Sequence, residues 1–351
     1  MKRALGIVSH AGRQVASASS IWPLKKNKHM KRAPSSLLFI ILILLNIAIA
    51  AVSLTLGRYS FSGNESIAQL STIYIDIRLP RILAAFLVGG TLSLTGAAYQ
   101  GMFRNPMVSP SILGVSAGAG FGAALAILLA LGSLATQSFS FIFGIIAVVA
   151  VYMISLSTGK KHDKCLTLIL SGMIVATVFT ALISILKYIA DPYDTLPSIV
   201  YWLMGGLTDI EMGDLKYIAM ISIPGLITLT LSGWKLDVLS FGDEEAKSIG
   251  VHVDRLRLLV ISVATLMTAS AVSISGIIGW IGLLIPHIAR LLIGPKNSVL
   301  LPASFLIGSS FLMIVDDFSR SISSMEIPLG ITTSLIGAPF FIIILMKTSK
   351  R

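Results

Sequence analysis

Long apolar runs recur along this chain, with few charges inside them. A helix needs about 20 apolar residues to cross the hydrocarbon layer of a membrane. Runs close to that length lie at roughly 37–56, 79–103, 111–131, 139–158, 166–189, 215–232, 256–275, 277–293, 299–319 and 328–346. The pattern predicts an all-α integral membrane protein of ten transmembrane helices, occupying residues 37–346. The seventh and eighth runs are separated only by the Ser275–Gly276 region. Residues 1–36 are basic and mixed and predict a disordered cytoplasmic tail, with Met30 an alternative start to Met1. They lack an apolar stretch ahead of a small-residue cleavage site, so they do not read as a signal peptide. Residues 347–351 form a short C-terminal tail.

Composition agrees with the pattern. Of 351 residues, 55% are hydrophobic and 12% charged, whereas about a quarter of an ordinary soluble protein is charged. The lone cysteine, Cys165, excludes a disulfide framework and a thiolate metal site. A net charge of +11 raises nucleic acid as a partner, but the placement of the charge points to lipid instead. With the N-terminus inside, 21 of the 27 Lys and Arg residues fall on the cytoplasmic side, as the positive-inside rule requires. Both termini are then cytoplasmic. The six outer exceptions are Arg58, Arg78, Arg81, Lys187, Lys216 and Arg320.

Several spans are rich in small residues, among them Gly89, Gly90, Gly96, Gly101, Gly114, Gly118, Gly120 and Gly122. Small residues let helices associate closely in lipid, which suits a packed bundle with an internal path more than a simple anchor. The most polar internal stretch, about 239–253, falls on the cytoplasmic side. There Glu244 and Lys247 stand three apart and can pair on a short helix, bracketed by Gly242 and Gly250. A short amphipathic helix of this kind spans nothing but makes a docking surface.

Charged groups near the outer helix ends admit two readings. Arg78 and Arg81 either snorkel to the headgroups or form, with Arg320, a positive rim that receives an acidic partner. Lys187, Asp316, Asp317 and Glu326 read as helix-end salt bridges or caps rather than a proton relay. Ser157-Thr-Gly-Lys-Lys161 lacks the glycine and hydroxyl residue of a phosphate-binding loop and follows a membrane helix, so it is a basic loop. His10, His29, His162, His252 and His287 lack metal-site spacing, and no catalytic cluster stands out. An ion-coupled secondary transporter, the rival class, predicts deep midplane carboxylates; none is seen.

An ordered series of motifs is more specific. Arg78-Leu-Pro-Arg81 is followed by Gly89-Gly90, Gly96-Ala-Ala-Tyr-Gln100, Arg104-Asn-Pro106 and Leu113-Gly-Val-Ser-Ala-Gly-Ala-Gly120. Then come Gly242-Asp243 with Ala246 and Gly250, Gly279-Trp-Ile-Gly-Leu-Leu-Ile-Pro-His-Ile-Ala-Arg290, Leu300-Leu-Pro302, Asp316 with Arg320, Glu326-Ile-Pro-Leu-Gly330 and Gly337-Ala-Pro339. From about Ile75 to Leu345 the series resembles the permease subunit of type II ABC importers, the family that takes up ferric siderophores, haem and cobalamin.

The resemblance implies a type II ABC importer permease fold in the cytoplasmic membrane, as half of a dimer around a central path. It implies a second permease subunit, giving a homodimer, two cytoplasmic ATPase subunits, and an extracytoplasmic substrate-binding protein. ATP and magnesium would sit on the ATPase, with no cofactor or metal on this chain and no enzymatic activity of its own. It assigns Arg78, Arg81 and Arg320 to docking of the binding protein, and Gly242, Asp243, Glu245, Ala246 and Gly250 to coupling with the ATPase. Ser171, Gly172, Thr177, Thr180 and Ser184 on the fifth helix are the candidate lining of the path. At the inner gate, where a cobalamin permease carries small hydroxyl residues, this chain has Lys164 and Cys165. The expected cargo is a metal chelate, a ferric siderophore first, with haem, a cobamide or molybdate as alternatives.

Overall fold

The computed structural model describes residues 35–57, 66–157, 164–322 and 325–349. Residues 1–34 of the basic tail, Arg58, the Lys160–Lys161 part of the basic loop and the last two residues lie outside the described residues. No strand occurs among those described. The chain begins with α1 (Ser35–Thr55) and α2 (Ile67–Phe103), the latter carrying a π-helical turn over Thr72–Arg78. A 3-10 turn, Pro110–Leu113, leads into α3 (Val115–Leu128), followed by α4 (Ser133–Ser157) and α5 (Lys164–Ile189). Next are the short α6 (Thr195–Met204), then α7 (Met212–Leu231), α8 (Gly233–Leu239) and α9 (Asp243–Ser248). The last four are α10 (Val253–Ser275), α11 (Ile281–Ile293), α12 (Asn297–Ser321) and α13 (Leu329–Ser349).

Seven of the described helices, α1, α2, α4, α5, α7, α10 and α12, are long and apolar enough to cross a membrane by themselves. The runs expected at 111–131 and 277–293 give shorter helices, for a local reason. Gly114 (φ 79°) separates the 3-10 turn from α3. Gly276 (φ 64°) ends α10, and Trp280 (φ 68°) precedes α11. These are left-handed backbone positions that no α-helix continues through. The non-helical stretch between α10 and α11 is tolerable at this depth because it packs against protein. Gly206 N–H donates to the Ser275 carbonyl at 2.8 Å, and a side chain on Gly276 would meet the backbone of Gly205.

Helix α2 is the centre of the bundle, packed against α1, α7, α10, α11 and α12. In its apolar 18-residue stretch 83% is buried, against 17% for α1 at the periphery. Small residues make this possible. A methyl group on Gly89 would strike the Gly308 carbonyl, and one on Gly308 would strike Ser93 and the Gly89 carbonyl. Gly96 meets Gly282 of α11 equally closely. Backbones at these crossings approach as only glycine permits, which is how helices gain van der Waals contact in lipid. One apolar core surrounds Tyr99, Met102 and Met267, and a second surrounds Val88, Ile281 and Leu312.

The bundle has two polar ends. The first gathers the end of α1, the π turn of α2, α6, the end of α12 and the approach to α13. The second gathers the end of α2, the start of α5, α8, α9 and the α11–α12 connection.

Candidate functional sites at the two ends of the bundle

At the first end, the three arginines expected to receive a partner lie among one another's neighbours, each engaged within the chain. Arg81 Nε donates to both oxygens of Asp316 at 3.1 and 3.0 Å, and Nη2 donates to Oδ1 at 2.8 Å. Its Nη1 donates to Glu326 Oε1 at 2.9 Å. Arg320 pairs with Asp317 and donates to the carbonyls of Ser53 at 2.7 Å and Leu56 at 3.0 Å. Arg78 is buried, lies over the Tyr74 ring, and donates to the Leu54 carbonyl at 2.5 Å.

A helix ends with carbonyls that have no partner within it, and cations are favoured there. Arg78 and Arg320 supply this function to α1 from two other helices. Ser53 Oγ adds a 2.6 Å bond to Asp317. Asp316, Asp317 and Glu326 therefore form the helix-end salt bridges expected of them, while Lys187 makes none of these pairs. Thr208 Oγ1, bonded to Tyr201 at 3.2 Å, lies 3.4 Å from Glu326 Oε2. A cavity of about 320 Å³ opens beside it, lined by Gln137, Tyr201, Trp202, Thr208, Asp209 and Ser273 among others.

At the second end, α9 stands out as an exposed helix with a fixed root. Gly242 (φ 134°) precedes it and Gly250 (φ 89°) follows, and the Glu245 carboxylate folds back over Gly242. Ala246 is fully buried and seats the helix on the bundle. Asp243 receives Arg257 Nη2 at 2.9 Å and faces Nη1 at 2.8 Å. Glu244 and Lys247 pair at 2.7 Å, and that bond holds the Lys247 ammonium above the ordinary lysine value. Glu244, Glu245, Lys247 and Ser248 face outward, with Phe241 and Ile249 exposed at either end. A groove of about 440 Å³ runs alongside, lined by Lys247 and the segment Gly250–Arg255.

The five expected path residues do not share one face of α5. Thr177, Thr180 and Ser184 are exposed, their hydroxyls bonded back to carbonyls of their own helix at 2.8 to 3.0 Å. Ser171 and Gly172 are buried, and a methyl on Gly172 would strike the Ile112 carbonyl of the 3-10 turn. Of the two expected gate residues, Lys164 reaches Asp254 of α10 at 2.7 Å, and Cys165 is buried beneath it.

Sequence reasoning passed over Asp237 at the second end, and gave Gln100 and Arg104 as members of motifs without their partners. Asp237 of α8 accepts from the Asn297 and Ser298 N–H groups at 2.5 and 3.3 Å, satisfying donors at the start of α12. Gln100 accepts from Arg290 Nη1 at 2.6 Å and donates to the Val108 carbonyl at 3.1 Å. Arg104, which the sequence showed only within the Arg104-Asn-Pro106 motif, lies 3.7 Å from Asp243. Each joins segments far apart in sequence, and only the charge or amide itself was visible beforehand. Among the described residues no group of three His, Cys, Asp or Glu side chains gathers to hold a metal ion.

Known proteins supply the frame for this geometry. The molybdate import system permease protein of Haemophilus influenzae is 41% identical over 325 residues, covering 88% of this chain and 95% of that protein. The cobalamin import system permease protein of Halobacterium salinarum is 42% identical, covering 78% of this chain and 73% of its own length. A probable iron chelatin transport system permease protein of Helicobacter pylori is 40% identical over 82% of this chain and 86% of its own. A solved metal-chelate type ABC transporter in an inward-facing conformation superposes with a TM-score of 0.82 at 40% identity, covering 88% of this chain and 99% of that one. The sequence matches the FecCD transport family over residues 38–347. With that match across nearly every described helix, the chain belongs to the FecCD transport family and has the fold of a type II ABC importer permease.

Proposed function

We propose that this chain is the permease subunit of an ATP-driven importer that carries a metal chelate, a ferric siderophore first among candidates, across the cytoplasmic membrane. The observation that carries the reading is α9, whose charged face is exposed while Ala246 and the Asp243–Arg257 pair root it in the bundle. That is the form of a lever for a separate ATPase, with Gly242, Asp243, Glu245, Ala246 and Gly250 at the contact. The second end is then cytoplasmic, together with both termini. The short α3 and α11, with α13, complete ten spans with the seven helices named above. Two copies of the chain form the path, two ATPase subunits hold ATP and magnesium, and the permease itself hydrolyses nothing. Rocking of the two bundles alternates access, past Thr177, Thr180 and Ser184, with Lys164 and Cys165 at the inner mouth.

On the outer face, Arg78, Arg81 and Arg320 are the meeting point for carboxylates of an extracytoplasmic binding protein. An incoming carboxylate exchanges with Glu326 rather than Asp316, because the Glu326 side chain is 22% exposed and that of Asp316 only 2%. Molybdate is the second reading of the cargo, favoured by the near full-length match to a molybdate permease. Co-purification from membranes tests the assembly: an ATPase subunit is expected with the wild-type chain, and Glu245→Lys should abolish uptake. A permease that purifies alone, with uptake indifferent to Glu245→Lys, would sink the proposal. Titrating the partner binding protein with a ferric siderophore, haem, a cobamide and molybdate separates the cargoes.

A further inference from the structure

We propose that the Asp243–Arg104 ion pair is the joint through which α9 moves the connection between α2 and α3, which makes Arg104 a positioning residue for transport. The inference rests on the reading of α9 as the ATPase contact.

Asp243 opens α9, and its carboxylate is shared between two unlike partners. Arg257, on α10, grips it with both terminal nitrogens, and the Arg257 side chain is only 8% exposed. The arginine half of this fork is shielded from water and the fork is geometrically defined, so it fixes α9 to α10. Arg104 approaches the same carboxylate at 3.7 Å, on Oδ1, and is 40% exposed. An exposed pair at that separation contributes little to stability. Its value lies in which parts it joins.

Those parts are the ends of a short connection. Arg104 terminates α2 with a left-handed backbone, φ 52° and ψ 34°, which a non-glycine residue adopts only where its surroundings hold it. Asn105 to Ser109 follow, with Pro106 and Met107 exposed. The far flank of the connection is tied down differently. Gln100 Nε2 donates to the Val108 carbonyl at 3.1 Å and to the Gly282 carbonyl of α11 at 3.3 Å, while Arg290 holds the Gln100 oxygen. No carboxylate lies within 4 Å of Arg290 among the described residues, so this tie is an amide–guanidinium bond inside the bundle. One flank of the connection is therefore fastened to the body, and the other to the helix that stands out from it.

Beyond Ser109 the chain enters the 3-10 turn, which rests directly on α5. The Ile112 carbonyl fills the space a side chain on Gly172 would need, and Gly114 sits close to Ala176. Contact is thus continuous from α9 through Asp243, Arg104 and the connection to the turn, and on to α5. Movement of α9 by a partner pulls on Arg104 while the Gln100 tie holds the far flank. The connection then pivots and shifts the turn against α5, one turn and more below Thr177. A contiguous chain of contacts becomes a coupling route only if perturbing it uncouples its ends.

The test uses the complete complex of permease and ATPase in lipid nanodiscs, carrying Met107→Cys, with the complex lacking that substitution as the labelling blank because the native Cys165 is buried. Labelling of the introduced thiol by a charged maleimide reports the position of the connection. With Arg104 intact, a non-hydrolysable ATP analogue should change the labelling rate by about threefold or more, a hinge-like response. Arg104→Ala should abolish that response while the ATPase still co-purifies and hydrolyses ATP, and Arg104→Lys should retain most of it. A response that survives Arg104→Ala overturns the joint, as does a connection that never responds in the presence of Arg104. Loss of the ATPase from Arg104→Ala would make Arg104 part of the partner contact instead, and also overturns it. A wild-type chain that retains no ATPase would defeat the reading of α9 itself, a different and recognisable failure.

Discussion

The two ends of the bundle use charge in opposite ways. At the first end, Arg81, Arg320, Asp316 and Asp317 are withdrawn from water and bonded several times over, to one another and to the carbonyls that end α1. At the second end, Lys164–Asp254, Lys247–Glu244 and Arg104–Asp243 are exposed and joined through one contact each. A buried charge left without its partner is costly, whereas an exposed pair separates at little cost. The first end is therefore a clasp that holds α1, α2 and α12 together. At the second, Lys164–Asp254 and Lys247–Glu244 can make and break as parts move. Arg257 is the exception there, buried as the first-end arginines are, and it marks where the movable end is rooted.

The largest expected effect tests the clasp. Asp316→Ala leaves Arg81 in a dry site with only Glu326, and it should destabilise the protein by about 3–5 kcal/mol. Thermal unfolding of the purified chain in detergent measures this. A drop no larger than that of an exposed substitution would remove the distinction between the ends. Arg257→Gln should come next, at about 2 kcal/mol, because its bonds to Asp243 are charge-assisted but Asp243 can rehydrate. If it costs nothing, α9 is not rooted through Asp243. Glu326→Gln should lower stability by about 1 kcal/mol, since Arg81 keeps its fork on Asp316. If Arg81 receives a carboxylate from a binding protein, the same change removes an internal competitor and tightens that association, most visibly at low salt. Weaker association in Glu326→Gln would mean that Glu326 takes part in docking itself.

Much of this was legible in the sequence, and the remainder was hidden for definite reasons. Apolar runs announce spanning helices because lipid demands them, and Glu244 with Lys247 announced a pair because three residues on a helix set the spacing. The shortening of α11 was not announced: Trp280 adopts a positive φ that its residue type does not predict. The clasp was visible only as a set of charges near helix ends. Arg81 and Asp316 are 235 residues apart, and no local rule joins them. The same limit governed α5, where small and hydroxyl residues suggested one lining. Gly172 faces the 3-10 turn because Ile112 lies against that side, a neighbour that α5 by itself does not reveal.

The smallest effect sharpens the comparison most, because it asks whether a close, well-formed pair at the second end matters at all for stability. Lys164 Nζ and Asp254 Oδ1 stand 2.7 Å apart, as close as any contact Arg81 makes, yet both side chains are more than half exposed. If distance decided, Lys164→Gln would behave like a loss at the clasp. If hydration decides, it shifts stability by less than about 0.5 kcal/mol, because water replaces what the partner supplied and salt already screens the pair. Unfolding of Lys164→Gln beside Asp316→Ala, at low and high ionic strength, separates the two. A salt-independent loss near that of Asp316→Ala would show that the second end is clasped as firmly as the first. Parity at high salt, with a slight deficit at low salt, leaves Lys164 and Asp254 free to part when α5 and α10 move.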